Sequence, residues 1–261
     1  MSVELTHKLG GQLAVLTLNR PEVRNALSPP EWQALHEHLL TLEKDAAVRA
    51  VMITGAGDCF SSGGDLRTMP ERLDWPVAVR QAQLVRDARV IERLHAFDKP
   101  VVACIDGPCM GAGLSLALAC HLRVASTRAR FGAVFHRVGL TGDFGLLWLL
   151  PRTVGPSRAT QLLLEAEVLD AARAQALDLV HHVTPPEELA ATTLALCERL
   201  ISGPPVAVTM TLRGLRRAAS CDLSAMLEWE AHAQSLLSKT HDAREGVTAF
   251  LEKRAPKFRG E

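Results

Sequence analysis

The sequence places one carboxylate, Asp143, between glycines in GLTGDFG (139–145), directly ahead of the apolar run LLWLLP. An aspartate in this position can cap the first turn of a helix, or it can exchange a proton with a substrate. The second role requires a pKa above the usual ~3.9, which apolar surroundings can supply. The candidate walls, which are equally typical of a core, are Phe135, Phe144, Leu146 and Trp148. The two roles are compatible, so the sequence leaves both open.

Two glycine-containing loops each offer backbone N–H groups to a ligand. FSSGGD (60–65) directly follows a buried strand, and MGAG (110–113) begins an apolar helix, where unsatisfied amides favour partial negative charge. One amide from each loop, converging on a single oxygen, would form an oxyanion hole. The structural alternatives are a tight turn and close helix packing. Neither GxGxxG nor a P-loop pattern is present, so nothing indicates a dinucleotide or a nucleoside triphosphate.

Four segments occur in an order and spacing that resemble the crotonase superfamily, also called the enoyl-CoA hydratase/isomerase family. They are RPEVRNAL (20–27), ITGAGDCFSSGGDL (53–66), KPVVACIDGPCMGAG (99–113) and GLTGDFGLLWLLP (139–151). The resemblance continues to HDAREGVTAFLEKRAPKF (241–258). It implies an α/β spiral of ββα units with a helical C-terminal trimerisation region, assembled as a homotrimer or a dimer of trimers. It also implies a coenzyme A thioester as substrate and no separate cofactor.

The resemblance assigns roles to particular residues. The thioester oxygen is expected between the backbone N–H groups of Gly64 and Ala112, where Ala112 replaces the more usual glycine. The donor is main chain, so alanine is acceptable wherever the backbone angles suit an L-residue. The residues expected near coenzyme A are Arg24, Ala26, Ser62, Asp65, Leu66, Met110, Phe250 and Lys253, the last two at the nucleotide end. Arg24 as a solvated turn residue and Lys253 as part of a charged face are the alternatives.

The same resemblance bears on the reaction. Hydratases of the family hold water with two glutamates, and the matching positions here are Ser115 and Phe135, neither of which is a carboxylate. Asp143 instead resembles the acid/base aspartate of dienoyl-CoA isomerases and of the ring-opening isomerase of phenylacetate catabolism. One carboxylate suffices to move a proton between two carbons, so we expect a double-bond shift with Asp143 as the shuttle. The alternatives are hydration, dehydration, ring opening, decarboxylation or a non-catalytic acyl-CoA binding subunit.

Three other reactive side chains receive ordinary interpretations. If 131–135 is a strand, His136 faces away from Phe135 and is a partly buried histidine. Cys109 has no evident base beside it and is expected to be a packed thiol. The pair His181 and His182 lies in a strand-like connection without carboxylates, so no metal is predicted.

The elements that must position these groups alternate in the first half of the chain. Strands are predicted at 13–19, 48–55 and 99–107, and helices at 29 to about 46, 75–97 and 110–120, followed by mostly helical sequence after 142. Ser28 and Glu31 form a capping box, and Asp170 is a candidate cap. The sequence therefore predicts an α/β core over 1–200 and a helical region over 201–261, with 68–81 bordering the acyl pocket.

Composition narrows the class of partner. The 261 residues carry 29 basic and 29 acidic side chains, which gives no field favouring nucleic acid or an anionic membrane. Six cysteines lack CxxC spacing, so free thiols in a reducing cytoplasm are expected. No signal-peptide pattern or long apolar stretch is present, and export and membrane insertion are not expected. A small-molecule substrate remains.

Overall fold

A computed structural model of the chain describes residues 2–261. Its main feature is a six-stranded sheet in the order β1-β2-β3-β4-β6-β9, in which β1 and β2 are antiparallel and the other pairs are parallel. A second sheet has the order β5-β7-β8. The strands are β1 (Val3–Lys8), β2 (Leu13–Leu18), β3 (Ala50–Gly55), β4 (Val101–Ile105), β5 (Pro108–Met110), β6 (Leu122–Ser126), β7 (Arg130–Gly132), β8 (Val168–Asp170) and β9 (His182–Thr184).

Successive turns of the chain add to both sheets in the same order. β4 is followed by β5 and β6 by β7, while β3 is followed by the loop 61–64, which pairs through the Ser61–Cys109 bridge beside β5. A further bridge joins Leu27 to Gly64 on the other side of this loop. The predicted spiral of ββα units is therefore present, and it lines up the two glycine loops at neighbouring positions of the small sheet.

Eleven α-helices complete residues 2–261. They are α1 (Pro29–Lys44), α2 (Met69–Leu73), α3 (Val77–Ala96), α4 (Ala112–Ala119), α5 (Leu146–Val154), α6 (Pro156–Glu165), α7 (Ala171–Ala176), α8 (Leu189–Ile201), α9 (Pro205–Ala218), α10 (Leu223–Leu237) and α11 (His241–Leu251). The capping box at Ser28 and Glu31 is formed, and Asp170 accepts from the Arg173 amide at 2.8 Å, as predicted. None of these helices is long and apolar enough to cross a bilayer.

Both faces of the central sheet are covered, which explains why its strands are almost continuously apolar. Alternation along β2 sends Leu16 into the main core with α1, α3 and α4, and Val15 into a smaller cluster beneath α8. The predicted helical region begins close to the gap between α8 and α9. The division at residue 200 stays a prediction, because α8 packs on the sheet while α9 and α10 pack on each other.

One strand prediction is wrong. The segment expected to be extended through 135 leaves the sheet after Gly132 and continues as a 3-10 helix over Val134–Val138. Phe135 is buried in that turn, and His136 is exposed rather than partly buried. A short helical turn places neighbouring side chains about a third of a turn apart, so the alternation assumed for a strand does not hold here.

Candidate active site

Backbone hydrogen bonds bring the two glycine loops together. The Met110 amide donates to the Ser61 carbonyl at 3.0 Å, and the Leu27 amide donates to the Gly63 carbonyl at 2.7 Å. A Cβ at Gly63 would lie 2.7 Å from the Met110 carbonyl oxygen and 3.4 Å from the Ala112 nitrogen, and Gly63 has φ +94°. Only glycine permits this approach, which sets the 63–64 backbone against the start of α4.

The Gly64 amide takes no part in these backbone hydrogen bonds. Leu27 donates to Gly63 and accepts from the Asp65 amide at 3.0 Å, so the intervening N–H of Gly64 points to the opposite side, where β5 and α4 lie. It donates no hydrogen bond to any acceptor in residues 2–261. A side chain at this exposed position would meet nothing within 4 Å. Gly64 therefore presents a free donor in open space.

The Ala112 amide is the second free donor. It is the first residue of α4, so its N–H has no partner within the helix, and it bonds to nothing else in the described chain. The preceding Gly111 turns the chain with φ 51° and donates to the Gly132 carbonyl at 2.9 Å. Ala112 is absent from the residues with positive φ, so the backbone suits an L-residue and the methyl group leaves the donor in place.

Asp143 does not cap a helix. The helix α5 begins at Leu146 with Gly145 at its N-cap, and the Leu146 amide donates to the backbone carbonyl of Asp143 at 3.0 Å. The capping prediction is therefore wrong. The side-chain atom Oδ1 is buried without a hydrogen-bond partner anywhere in residues 2–261. Burial raises the pKa of Asp143 from about 3.8 to about 6, against the opposing positive charge of Arg80.

The apolar surroundings of Asp143 agree with the sequence expectation except at one residue. Phe144 is buried and stacks on Trp32 with the ring centroids 4.3 Å apart, and Leu146 is fully buried. Trp148 is 41% exposed and instead carries the Arg152 guanidinium over its ring at 3.8 Å. Its ring also meets His95 edge-on, with the ring centroids 5.0 Å apart. The predicted place of Trp148 as a wall around Asp143 stays a prediction.

The two positions that replace the glutamates meet the start of α4. The Phe135 ring lies 3.7 Å from where a Cβ of Gly111 would stand. The fully buried Ser115 hydroxyl lies 3.0 Å from the Asp143 carbonyl oxygen, to which it donates, and 3.4 Å from the Gly111 carbonyl oxygen. These contacts tie the Asp143 loop to the helix whose first amide is free. The chain thus has two free backbone amides, on loops joined by hydrogen bonds, and one buried carboxyl group on a loop tied to α4.

Comparison with known proteins identifies the family. The enoyl-CoA hydratase/isomerase family model matches residues 9–261. The chain belongs to this family, the crotonase superfamily. It is 34% identical to the short-chain-enoyl-CoA hydratase of Clostridium acetobutylicum, over 94% of this chain and 93% of that protein. It is also 34% identical to the 1,2-epoxyphenylacetyl-CoA isomerase of Escherichia coli, over 100% of this chain and 99% of that protein. The crystal structure of a putative enoyl-CoA hydratase/isomerase from Mycobacterium abscessus superposes with a TM-score of 0.94 and is 38% identical in sequence. The superposition covers 99% of this chain and 100% of that one.

Part of the expected coenzyme site of this crotonase is assembled within one chain. The Arg24 carbonyl accepts from the Ser62 amide at 2.9 Å, and Arg24 itself adopts a left-handed conformation with φ 54°. Ala26 is buried beside this turn, whereas Leu66 is 53% exposed. Met110 ends β5, and its sulfur lies toward Gly132. The turn at 24 and the loop at 62–66 therefore form one continuous edge next to the free Gly64 amide.

Asp65 is buried, and its carboxylate is already engaged. It accepts from Arg67 Nη2 at 2.7 Å and Nε at 2.9 Å, and from Arg20 Nη2 at 3.3 Å. The hydrogen bonds from Arg67 are the main cause that lowers the pKa of Asp65 to about 2. The side chain thus fixes the loop, and the predicted contact of Asp65 with coenzyme A stays a prediction.

Phe250 and Lys253 lie on and just after α11 in the helical region. Phe250 is 82% exposed and Lys253 is exposed with φ 58°. Neither makes a hydrogen bond or ion pair with the 24–66 edge among the described residues. Their predicted contact with coenzyme A stays a prediction.

The remaining reactive groups lie away from this site or are packed. Cys109 is fully buried, and burial raises its pKa well above the ordinary value. His181 Nδ1 accepts from the Arg123 amide at 3.1 Å, and desolvation lowers its pKa to about 4. Residues 2–261 contain no group of three or more histidine, cysteine or carboxylate side chains that could hold a metal. Arg80, whose charge acts on Asp143, was missed by sequence reasoning, which named only the segment 68–81.

Proposed function

We propose that this crotonase shifts the double bond of an enoyl-CoA thioester, with Asp143 as the acid/base. The observation that carries the proposal is a buried carboxyl group with a free oxygen and a raised pKa, on a loop tied to α4. A pKa of about 6 leaves the group ionised at neutral pH yet able to hold a proton transiently. The family is shown, whereas the choice of reaction is our inference.

The proposed reaction needs no water. The thioester oxygen accepts hydrogen bonds from the Gly64 and Ala112 amides, while Asp143 removes a proton from C2 of a 3-enoyl thioester. The C–H electron pair passes into a dienolate whose negative oxygen is held by the two amides. The same carboxyl group then returns the proton to C4, leaving the double bond between C2 and C3. Each preorganised donor can contribute ~3 to 4 kcal/mol of transition-state stabilisation.

The residues around the site support isomerisation over hydration by the usual route. Phe135 presents a ring, and the Ser115 hydroxyl is occupied as a donor to the Asp143 carbonyl. Neither can activate water as a carboxylate does. The similar protein of Escherichia coli is named 1,2-epoxyphenylacetyl-CoA isomerase, so an isomerase acting on an epoxide, rather than on an enoyl thioester, is among the relatives. A substrate bound here therefore meets one proton carrier rather than two.

Hydration is the second candidate because the similar protein of Clostridium acetobutylicum is named a hydratase. It would require Asp143 or another group to activate water, and dehydration, ring opening and decarboxylation belong to the same alternative. The alternative of another class is an acyl-CoA binding subunit without turnover. We favour isomerisation over both because Asp143 is a buried carboxyl group with an unoccupied oxygen, while Ser115 and Phe135 stand where a hydratase would carry its glutamates.

The test measures purified protein on 3-enoyl-CoA and 2-enoyl-CoA, with deuterium uptake at the α and γ carbons. Asp143→Asn is expected to reduce isomerisation by ~10²- to 10⁴-fold, the usual contribution of a general acid/base. Asp58→Asn, at an exposed carboxylate without side-chain hydrogen bonds, is the control and should match the wild type. Unchanged isomerisation by the Asp143 variant would remove it from the mechanism. A 3-hydroxy product supports hydration, and binding without exchange supports the silent subunit.

We also propose assembly as a homotrimer or a dimer of trimers. A groove of about 760 Å³ runs between α9 and α10, and Leu215 and Leu227 on its rim are 67% and 54% exposed. Exposed apolar surface of this kind favours a protein partner. Light scattering is expected to give the mass of three or six chains, and a monomer would contradict the proposal. A cytoplasmic location stays a prediction.

A further inference from the structure

Arg80 lies on the face of α3 that turns toward the Asp143 loop. Residues 80, 84, 87 and 91 share one helical face, and on this face Leu84 and Ile91 pack against the main core. Asp87, between them, is buried. A methyl group of Ile91 lies 3.2 Å from where a Cβ of Gly145 would stand, two residues after Asp143. Arg80 is therefore directed inward, one helical turn before the packed part of the stripe.

The guanidinium of Arg80 is partly desolvated and has no partner within residues 2–261. Burial lowers its pKa, while the charges of Asp143 and Asp87 act in the opposite direction. It donates no hydrogen bond, and no carboxylate oxygen lies within 4.0 Å of its nitrogens. Burial also lowers the pKa of Arg49 and Arg123, but both of these donate to backbone carbonyls.

A second positive charge acts on Arg80. Arg72 on α2 lowers the pKa of Arg80 through its positive charge, and it has no ion pair in the described chain either. Two guanidinium groups near each other in a partly desolvated site repel, and an anion between them would remove that cost. The carboxylates of Asp87 and Asp143 act on Arg80 only from beyond ion-pair distance, and one oxygen of Asp87 accepts a hydrogen bond from Gln83 at 2.7 Å.

We infer that Arg80, assisted by Arg72, binds a carboxylate on the acyl group of the substrate, so that the substrate class is the coenzyme A monothioesters of unsaturated dicarboxylic acids. The inference rests on the proposed function for the orientation of the substrate. The thioester oxygen lies at Gly64 and Ala112 and the coenzyme lies along the 24–66 edge, so the part of the ligand near Asp143 is the acyl group. Arginine is suited to this role because its planar fork matches both carboxylate oxygens.

Binding of a substrate carboxylate by Arg80 would also change the pKa of Asp143. The positive charge of Arg80 opposes the rise in the pKa of Asp143. A substrate carboxylate paired with Arg80 offsets that charge, so Asp143 becomes more basic when a dicarboxylic substrate is bound. A monocarboxylic substrate of equal length gives no such compensation and leaves the guanidinium desolvated without an anion.

The test compares dissociation constants of adipoyl-CoA and hexanoyl-CoA, saturated ligands of equal chain length, by titration calorimetry. The wild type is expected to prefer adipoyl-CoA by about tenfold or more, the usual range for a charge-assisted pair. Arg80→Met keeps the apolar stem and should reduce the preference to about one, whereas Arg80→Lys should retain part of it. Arg86→Met is the matched control, because Arg86 is exposed on the opposite side of the same helix and should keep the preference.

Two outcomes overturn the inference: equal binding of both ligands by the wild type, or equal weakening of both by Arg80→Met. Saturated ligands cannot isomerise, so these results are independent of turnover. Failure of isomerisation with the preference intact would overturn only the proposed reaction. Isomerisation of monocarboxylic thioesters without any preference would overturn only the assignment of Arg80.

Discussion

Asp65 and Asp143 are both aspartates in glycine-rich loops, yet they have opposite electrostatic states. The Asp65 carboxylate receives one hydrogen bond from Arg20 and three from Arg67, one of these from the Arg67 backbone amide, and its pKa falls to about 2. Asp143 has an oxygen without any partner in the described chain, and burial raises its pKa to about 6. The residue type is identical, so the difference comes from the groups placed around it.

The comparison teaches which carboxylate is available to a ligand. A charge that is buried and fully paired stabilises the loop that carries it and has little tendency to take a proton. A carboxylate that is desolvated and unpaired costs stability, and that cost is the condition for acid/base chemistry near neutral pH. In this chain the Asp65 side chain fixes the loop that carries Gly64, and the Asp143 loop carries the group that we propose as the acid/base.

The largest expected effect is a difference in the free energy of unfolding between variants of the two aspartates. Asp65→Asn breaks a buried ion pair, and we expect the free energy of unfolding to fall by about 2 kcal/mol, less than for a fully buried pair because Arg67 is exposed. Asp143→Asn removes an unfavourable buried charge, so the free energy of unfolding at pH 8 should stay unchanged or rise. Urea denaturation at pH 8 measures both.

The control is Asp58→Asn, which should leave the midpoint of urea denaturation unchanged because that carboxylate is exposed. A stability loss in the Asp143 variant as large as that in the Asp65 variant would mean that Asp143 has a structural partner. The contrast between the two loops would then be wrong.

A second prediction uses pH. The pKa of Asp143 in the folded chain is about 6, above its ordinary value of 3.8, so ionisation of this group costs stability as the pH rises from about 4 to 6. The pKa of Asp65 is about 2, below 3.8, so its stabilisation is present above pH 4 and is lost as the pH falls toward 2. For activity, kcat/KM should fall about tenfold for each pH unit below 6, since the base must be ionised.

Arg80→Met sharpens this test. Removal of the positive charge that opposes the rise in the pKa of Asp143 should move the acid limb of the kcat/KM profile to higher pH. Arg86→Met should leave it in place. If the acid limb of the kcat/KM profile lies at the same pH in both variants, or if kcat/KM stays constant down to pH 5, Asp143 is not the titrating group.

The sequence predicted most of the strands and helices that position the site, but it did not predict which groups pair with its charged side chains. Buried parallel strands such as β3 and β4, and the capping box at Ser28 and Glu31, follow from local patterns, and all are present. The short strands β8 and β9 were not predicted as sheet members, because a strand of three residues carries too little periodicity. The turn at Val134–Val138 was taken for a strand because a single buried phenylalanine fits either structure.

Within the site, residue types alone could not assign partners. Asp143 has the sequence signature of a helix cap, and only the position of Gly145 excludes that role. Local spacing gives no sign that the Asp65 carboxylate is held by Arg20, 45 residues away in sequence, and its contact with coenzyme A stays a prediction. Arg80 was missed because its role depends on α3 packing over the Asp143 loop. Long-range pairing of this kind leaves no signal in local spacing.

The smallest expected effect concerns Ser115, which joins the two halves of the catalytic arrangement. Its hydroxyl donates to the Asp143 carbonyl at 3.0 Å, so it fixes the loop without touching the reacting atoms. Ser115→Ala is expected to cost about 1 kcal/mol, the net value of one hydrogen bond, and to lower kcat by roughly fivefold with KM little changed. Ser235→Ala is the matched control, because that hydroxyl also donates to a backbone carbonyl, but on α10. A fall in kcat of a hundredfold or more would place the Ser115 hydroxyl in the proton transfer itself, and Asp143 would no longer be the single proton carrier.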